Sequence, residues 1–367
     1  MNTKKSIIIY ILTIVFSVVF IVGANKLVTG GEKVLSTSSE QEYFRAEVVE
    51  VLSSEEGIYG GGDIYIHFLA NTPKGRIEAM QISSSYTAES IRPVQKGDKV
   101  ILMRNSGSET YYFAEYIRFD VMLVFIAIFA ICLIIMGRSK GVNTILSLAF
   151  TCVSIFYVMI PAILMGKNIY LWTSITCIYI TVSTLLLVNG ANRKSLAAGI
   201  GCIGGVLVAF VLTWVIDSFI NMSGHIDEGS IYLASLKYPI DLKAIIYASV
   251  LIGAIGAIMD VSVELSASLA EIEKKVSHIT FRELFTSGMT IGRETMGTMS
   301  NTLVLAYIGG SLSCVLLMVA NSSSLLYLFN METVIFEILQ AVVGSIGILF
   351  CIPLTSAVCG LLFRSKN

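Results

Sequence analysis

Charge is scarce in this sequence. Only 14% of its 367 residues are Asp, Glu, Lys or Arg, against about 25% in soluble domains, so the chain is not a single globule with a polar shell. Its net charge is −1, which supplies no basic field to hold a phosphate backbone, and nucleic acid is excluded as a main partner. There are three histidines, His67, His225 and His278. They fall in three different compartments of the topology below, so no zinc or haem site is built from them. Seven cysteines are present, all in apolar runs and never as C-x-x-C. They read as small apolar core residues, and none is free to staple the polar segment. No Walker A loop, G-x-S-x-G elbow or H-E-x-x-H pair occurs. The chain is expected not to be an enzyme and to carry no cofactor, and its composition leaves the question of a metal open.

What the sequence has in abundance is apolar length. Apolar residues make up 55% of the chain, with a mean hydropathy of +0.78. A hydrocarbon core of ~30 Å needs about 20 apolar residues in a helix. Eight segments qualify: 6–28, 119–137, 142–165, 169–190, 195–220, 244–269, 299–320 and 333–363. Residues 29–118 differ, holding 22 of the 51 charged side chains in about a quarter of the length.

Orientation follows from Lys and Arg, which cytoplasmic loops retain. With the amino terminus inside, Lys4, Lys5, Arg138, Lys140, Arg193, Lys194, Lys274, Lys275, Arg282, Arg293, Arg364 and Lys366 all lie inside. Lys26, Lys33, Arg118, Lys167, Lys237 and Lys243 lie outside, near the spans. Both termini are then cytoplasmic and residues 29–118 face outward. The first segment reads as an uncleaved anchor; a cleaved signal peptide is the alternative, for which Val22-Gly23-Ala24 is a poor small-x-small site.

Between Tyr43 and Arg118 the pattern has period two, with β-branched and aromatic residues alternating with charged ones. It predicts five strands, at 44–51, 64–68, 76–82, 99–103 and 111–117. The breaks are turn chemistry: Gly60-Gly61-Gly62-Asp63, Thr72-Pro73-Lys74-Gly75, Lys96-Gly97-Asp98 and Asn105-Ser106-Gly107. The expected fold class is an α-helical polytopic membrane protein of about eight spans, with a small all-β extracytoplasmic barrel or sandwich between helices one and two. Its expected domains are an anchor at 1–28, the β-domain at 29–118 and a seven-helix membrane domain at 119–367.

A carboxylate in hydrocarbon is by default a functional-site hypothesis, costing ~2.5–3.5 kcal/mol near the bilayer centre. The sixth span places Asp260 and Glu264 four residues apart, on one helical face. Ser262, Ser266 and Ser268 add hydroxyls, and Gly253 and Gly256 allow close helix approach. Asp260 lies a few residues past the middle of that span. The seventh span opens on a polar stretch that includes Arg293, Glu294, Asn301 and Thr302. Residues 271–292, beginning at Glu271, have amphipathic spacing and read as a cytoplasmic surface helix. That helix would bring Asn301 and Thr302 to face Asp260 and Glu264. Asp217 and Glu337, near the outer interface, are further carboxylates of this kind.

Met259-Asp260-Val261-Ser262-x-Glu264-x-Ser266-Ala267-x-x-Ala270-Glu271-Ile272 and Gly292-Arg293-Glu294-x-Met296-Gly297-Thr298-Met299-x-Asn301-Thr302-Leu303-x-Leu305-Ala306-Tyr307 together resemble the YibE/F-like family of bacterial multi-pass membrane proteins. The resemblance spans roughly residues 40–363, with Glu294 standing where an aspartate is expected. It implies the topology and a bacterial cytoplasmic membrane, and it brings no substrate.

The expected function is that of a transporter or permease-like component with an intramembrane polar site at Asp260, Glu264, Asn301 and Thr302. The alternative is a non-transporting envelope assembly or receptor protein that acts through its outer β-domain. The expected partners are the lipid bilayer and a second membrane subunit or another copy of the chain.

Overall fold

A computed structural model describes residues 3–31, 41–56, 64–83, 92–235, 240–276, 278–321 and 324–363. The Gly60-Gly61-Gly62-Asp63 turn lies outside the described residues. The chain divides into two compact units, Met1–Glu32 with Leu133–Asn367, and Lys33–Cys132.

In the second unit the period-two pattern becomes five strands: β1 (Gln41–Glu56), β2 (Ile64–Thr72), β3 (Gly75–Ser83), β4 (Lys99–Asn105) and β5 (Tyr111–Tyr116). They close into a barrel of order β1-β2-β3-β5-β4, with β4 returning to β1, so the sandwich alternative does not apply. The β3–β5 pair is parallel and the other pairs are antiparallel. Bulges in β1 between Val48 and Glu50 and between Val51 and Ser53 bend that strand so that it pairs with both β2 and β4. Alternate residues fill the interior: Ala46, Val48, Ile66, Phe68, Ala70, Ala79, Val100 and Leu102. The buried Gln81 amide holds the approach to β4, donating to the Arg92 carbonyl at 3.2 Å and accepting from the Val94 N–H at 2.9 Å.

Phe68 is fully buried, and truncating a core phenylalanine costs about 3–5 kcal/mol. Phe68→Ala is expected to make 41–116 protease-sensitive in the full-length protein, whereas Ile82→Ser on the exposed surface leaves the cleavage pattern unchanged. Equal resistance of the two variants would show that the barrel does not depend on this core.

The helices are α1 (Thr3–Thr29), α2 (Phe119–Gly137), α3 (Ser139–Ser154), α4 (Ile160–Leu164), α5 (Ile169–Thr184), α6 (Arg193–Ile220), α7 (Glu228–Ser235), α8 (Leu242–Lys275), α9 (Phe281–Gly310), α10 (Leu312–Asn321), α11 (Leu325–Leu328) and α12 (Glu332–Phe363). A π turn at Ile155–Met159 joins α3 to α4, and another at Leu185–Asn189 ends α5. Among the described residues, seven helical segments are long and apolar enough to cross a membrane. The expected seventh span, 299–320, is not one helix: α9 and α10 are bent by 67° at Ser311, and only together do they pass as a span. The adjacent Gly309 and Gly310 are weak helix formers.

The expected surface helix at 271–292 is also absent as a separate element. Residues 271–275 are the last turn of α8, and residues 281–292 form the first part of α9. The physical reason is a capping box at Thr280. Its hydroxyl accepts from the Glu283 N–H at 3.3 Å, while the Glu283 carboxylate accepts from the Thr280 N–H at 2.8 Å. Thr280→Ala removes this start signal and is expected to cost about 0.5–2 kcal/mol, read as a lower melting temperature in detergent. An unchanged melting temperature would show that packing alone fixes the start of α9.

The core of the membrane unit is α8 packed against α6, α9 and α12. It forms because small residues let the backbones approach, as is usual where helices pack in lipid. A Cβ on Gly205 would meet the Gly347 carbonyl at 2.8 Å, Ile258 Cγ2 at 2.8 Å and Cys351 Cβ at 2.9 Å. Helix α1 packs elsewhere in this unit, with Ile21 and Ala24 against Val158, Tyr179 and Ile180, and with Phe20 stacked on Tyr179 at 4.3 Å. Four cysteines, Cys177, Cys202, Cys351 and Cys359, are buried, but Cys132 and Cys152 are exposed and Cys314 is half-buried. The apolar-core reading therefore holds only for the first four.

Candidate functional site: a carboxylate stripe at mid-bundle

Three helices share one level at mid-length. Gly205 lies near the middle of α6, Gly347 near the middle of α12 and Ile258 near the middle of α8, and these residues meet. Asp260 is two residues beyond Ile258, or ~3 Å along the axis at 1.5 Å per residue. The sequence places it farther from the centre because the apolar run ends at Leu269, whereas α8 continues to Lys275. Glu264 follows one turn later.

A helix advances about 100° per residue. Ile258, Val261, Ser262, Leu265 and Ser266 make the buried face of α8, while Gly256, Asp260, Glu264 and Glu271 are exposed. A Cβ on Gly256 would meet nothing within 4 Å. The carboxylate stripe is therefore open in the isolated chain. Neither Asp260 nor Glu264 makes a hydrogen bond or ion pair among the described residues.

The serines proposed as neighbours of the carboxylates turn the other way. Ser262 Oγ donates to the Ile258 carbonyl at 2.9 Å and lies 3.0 Å from Cys351 Sγ. Ser266 Oγ donates to the Val263 carbonyl at 3.0 Å. Both are buried, because Ser262 follows Asp260, and Ser266 follows Glu264, by two residues, a rotation of about 200°. Their hydroxyls satisfy backbone carbonyls inside the core.

Helix α9 presents its buried face through Leu284, Gly288, Gly292 and Leu303. Arg293, Glu294, Asn301 and Thr302 are exposed. Gly288 sits against Leu269, and Gly253 against the Tyr307 hydroxyl, so α9 runs antiparallel to α8 and Asn301 is nearly level with Asp260. The two share a level and not a contact. Asn301 precedes the inward-facing Leu303 by two residues, which turns it away from the core, and no hydrogen bond among the described residues joins it or Thr302 to Asp260 or Glu264. Thr302 Oγ1 returns to the Thr298 carbonyl at 2.8 Å, as Thr298 does to Thr295 at 2.9 Å. Arg293 and Glu294 form no ion pair among the described residues.

Glu271 belongs to a different cluster. It accepts from Lys274 Nζ at 2.7 Å and lies 3.5 Å from Lys194 Nζ, which ties the end of α8 to the start of α6. Asp217 and Glu337 are half-buried on α6 and α12.

One residue that the sequence did not single out stands beside the stripe. Tyr307 carries a buried hydroxyl with no hydrogen-bond partner among the described residues, and it packs where Gly253 leaves room. Only its place at the end of the second motif block gave a signal. Among the described residues no three His, Cys, Asp or Glu side chains converge as metal ligands. The geometry is that of a single deep carboxylate with a second one turn away, which can carry a proton or neutralise a hydrated cation.

No curated protein and no solved structure matches the chain. The model of the YibE/F-like protein family matches residues 125–365, nearly all of the helical part from within α2 to the end of α12, and leaves the barrel outside. That match covers well over half of the chain and contains both motif blocks, Asp260 and the polar face of α9, and on it this membrane protein belongs to the YibE/F-like family.

Proposed function

We propose that this protein is a transporter or permease-like component of a cell membrane whose pathway runs along the α8 stripe, with Asp260 as the group that carries a proton or meets the transported ion. The observation that carries this reading is the depth of an unpaired carboxylate. Asp260 stands within a turn of the middle of three packed helices, and a charge there costs ~2.5–3.5 kcal/mol or more if lipid covers it. Water in a pathway, or a second subunit, removes that cost. Glu264, one turn along, continues the polar track, and Asn301 and Thr302 line the same level on α9.

The lysine-bearing ends support an orientation with both termini cytoplasmic and the barrel outside. Lys194 and Lys274 gather around Glu271 and Arg193 donates to the Leu362 carbonyl at the end of α12, at the end of the bundle that the distribution of Lys and Arg assigns to the cytoplasm. The open stripe also favours a second reading, in which a partner helix covers it and the protein is a non-transporting assembly subunit.

The two readings separate in proteoliposomes. Full-length wild type is reconstituted and the fluxes of protons and of monovalent and divalent cations are measured against empty vesicles. Flux that depends on the protein and falls in Asp260→Asn supports transport. No flux above empty vesicles, or equal flux in wild type and Asp260→Asn, overturns it and leaves the assembly reading.

A further inference from the structure

At the Lys194 end of the bundle two cavities adjoin. The first is an apolar groove of about 430 Å³ along the flanks of α5 and α6, walled by Val182, Leu185, Leu186, Leu196, Ile200 and Ile203. Gly199 opens its floor, since a Cβ there would meet Leu185 Cδ1 at 3.3 Å, and the π turn Leu185–Asn189 widens the helix beside it. The second is a polar pocket of about 190 Å³ lined by Lys140, Asn189, Asn192, Lys194, Ser195 and Ser266. Asn192 and Ser195 line both cavities, and Arg193 stands at the end of the groove.

Charge at this junction is in surplus on the positive side. Lys194 shares Glu271 with Lys274, and Lys140 forms no ion pair among the described residues. A hydrocarbon groove that runs into a pocket with two lysines and two asparagine amides is complementary to one chemical class, an amphiphile with an acyl chain and an anionic head.

We propose that the joined cavities are a binding site for an anionic phospholipid, with one acyl chain in the Leu185–Ile200 groove and the phosphate between Lys140 and Lys194. Basic pockets between membrane helices hold acidic head groups in this way, while the groove contributes through burial of methylenes. A free phosphate would use the pocket and leave the groove empty; a zwitterionic lipid would fill the groove with its own cation beside the lysines. On α8 the pocket is lined by Val263, Ser266 and Ala267, without Asp260 or Glu264, and the proposal stands or falls independently of the transport reading.

The test is native mass spectrometry and thermal melting of the full-length protein in mild detergent, with phosphatidylglycerol, phosphatidylcholine or inorganic phosphate added. Wild type is expected to retain phosphatidylglycerol at least about tenfold more tightly than phosphatidylcholine and to melt higher with it, with no such effect from inorganic phosphate. Lys140→Gln and the Lys140→Gln/Lys194→Gln pair should lose that preference. Ile200→Trp, which fills the groove and leaves the lysines in place, should lower retention of phosphatidylglycerol. Equal retention of the two lipids by wild type, a preference unchanged in Lys140→Gln, or a retention of phosphatidylglycerol unchanged in Ile200→Trp, overturns the proposal. Stabilisation by inorganic phosphate equal to that by phosphatidylglycerol assigns the pocket to a soluble anion instead and likewise overturns the lipid site. Lys140 is exposed, so its single substitution keeps the test valid if the double variant fails to fold.

Discussion

Asp260→Asn in proteoliposomes is expected to slow the transported ion at least about tenfold, equivalent to about 1.4 kcal/mol in the rate-limiting barrier, while leaving the melting temperature in detergent unchanged or slightly raised. The two readouts move independently for a physical reason. The substitution removes an ionisable oxygen near the middle of α8 but keeps the shape of the side chain, and no hydrogen bond or ion pair of Asp260 among the described residues is lost. Asp260→Glu restores the carboxylate and should recover part of the flux, and Glu264→Gln should reduce it less, since Glu264 lies farther from the level where the three helices meet. A large fall in melting temperature with Asp260→Asn would mean that the carboxylate is a structural partner in an assembly and not part of a pathway.

The second large effect concerns two glycines of similar depth. Gly205→Val is expected to destabilise the membrane unit by about 3 kcal/mol, at the upper end of overpacking costs. A Cβ there meets the Gly347 carbonyl, Ile258 and Cys351 within 2.9 Å, and a backbone atom cannot swing aside as a side-chain terminus does. Gly256→Val, one turn before Asp260 and with nothing within 4 Å of its Cβ, is expected to be nearly neutral in melting temperature and to lower flux if it crowds the stripe. Melting in detergent ranks the two directly. Equal destabilisation would show that Gly256 is covered in the assembled protein, and a neutral Gly205→Val would show that the crossing of α6, α8 and α12 is looser than these distances.

Much of the architecture was legible because it follows from local patterns. The runs of about 20 apolar residues mark the spans, since a helix must satisfy its own backbone in hydrocarbon. The strand pattern of 44–51, 64–68, 76–82, 99–103 and 111–117 found the five strands to within a few residues, because alternation is a property of one strand at a time. Closure of the barrel was not legible. It depends on the parallel pairing of β3 with β5 and the return of β4 to β1, which are contacts between distant segments. The bend at Ser311, the π turns and the continuity of α9 through residue 292 were hidden for a related reason: a polar helix start and an amphipathic surface helix have the same periodicity.

The candidate site divides along the same line. Sequence alone determined that Asp260 and Glu264 share a helical face, because four residues make about one turn, and that they fall in or beside an apolar run long enough to cross a membrane. Only the tertiary structure decided how deep it lies and what surrounds it. The contacts of Gly205, Ile258 and Gly347 put Asp260 at mid-bundle, the same crossing buries Ser262 and Ser266 away from it, and α9 turns Asn301 and Thr302 outward beside it. Periodicity specifies which residues share a face; which face is covered is set by the helices that pack on it, and that depends on close approaches at single glycines distant in sequence.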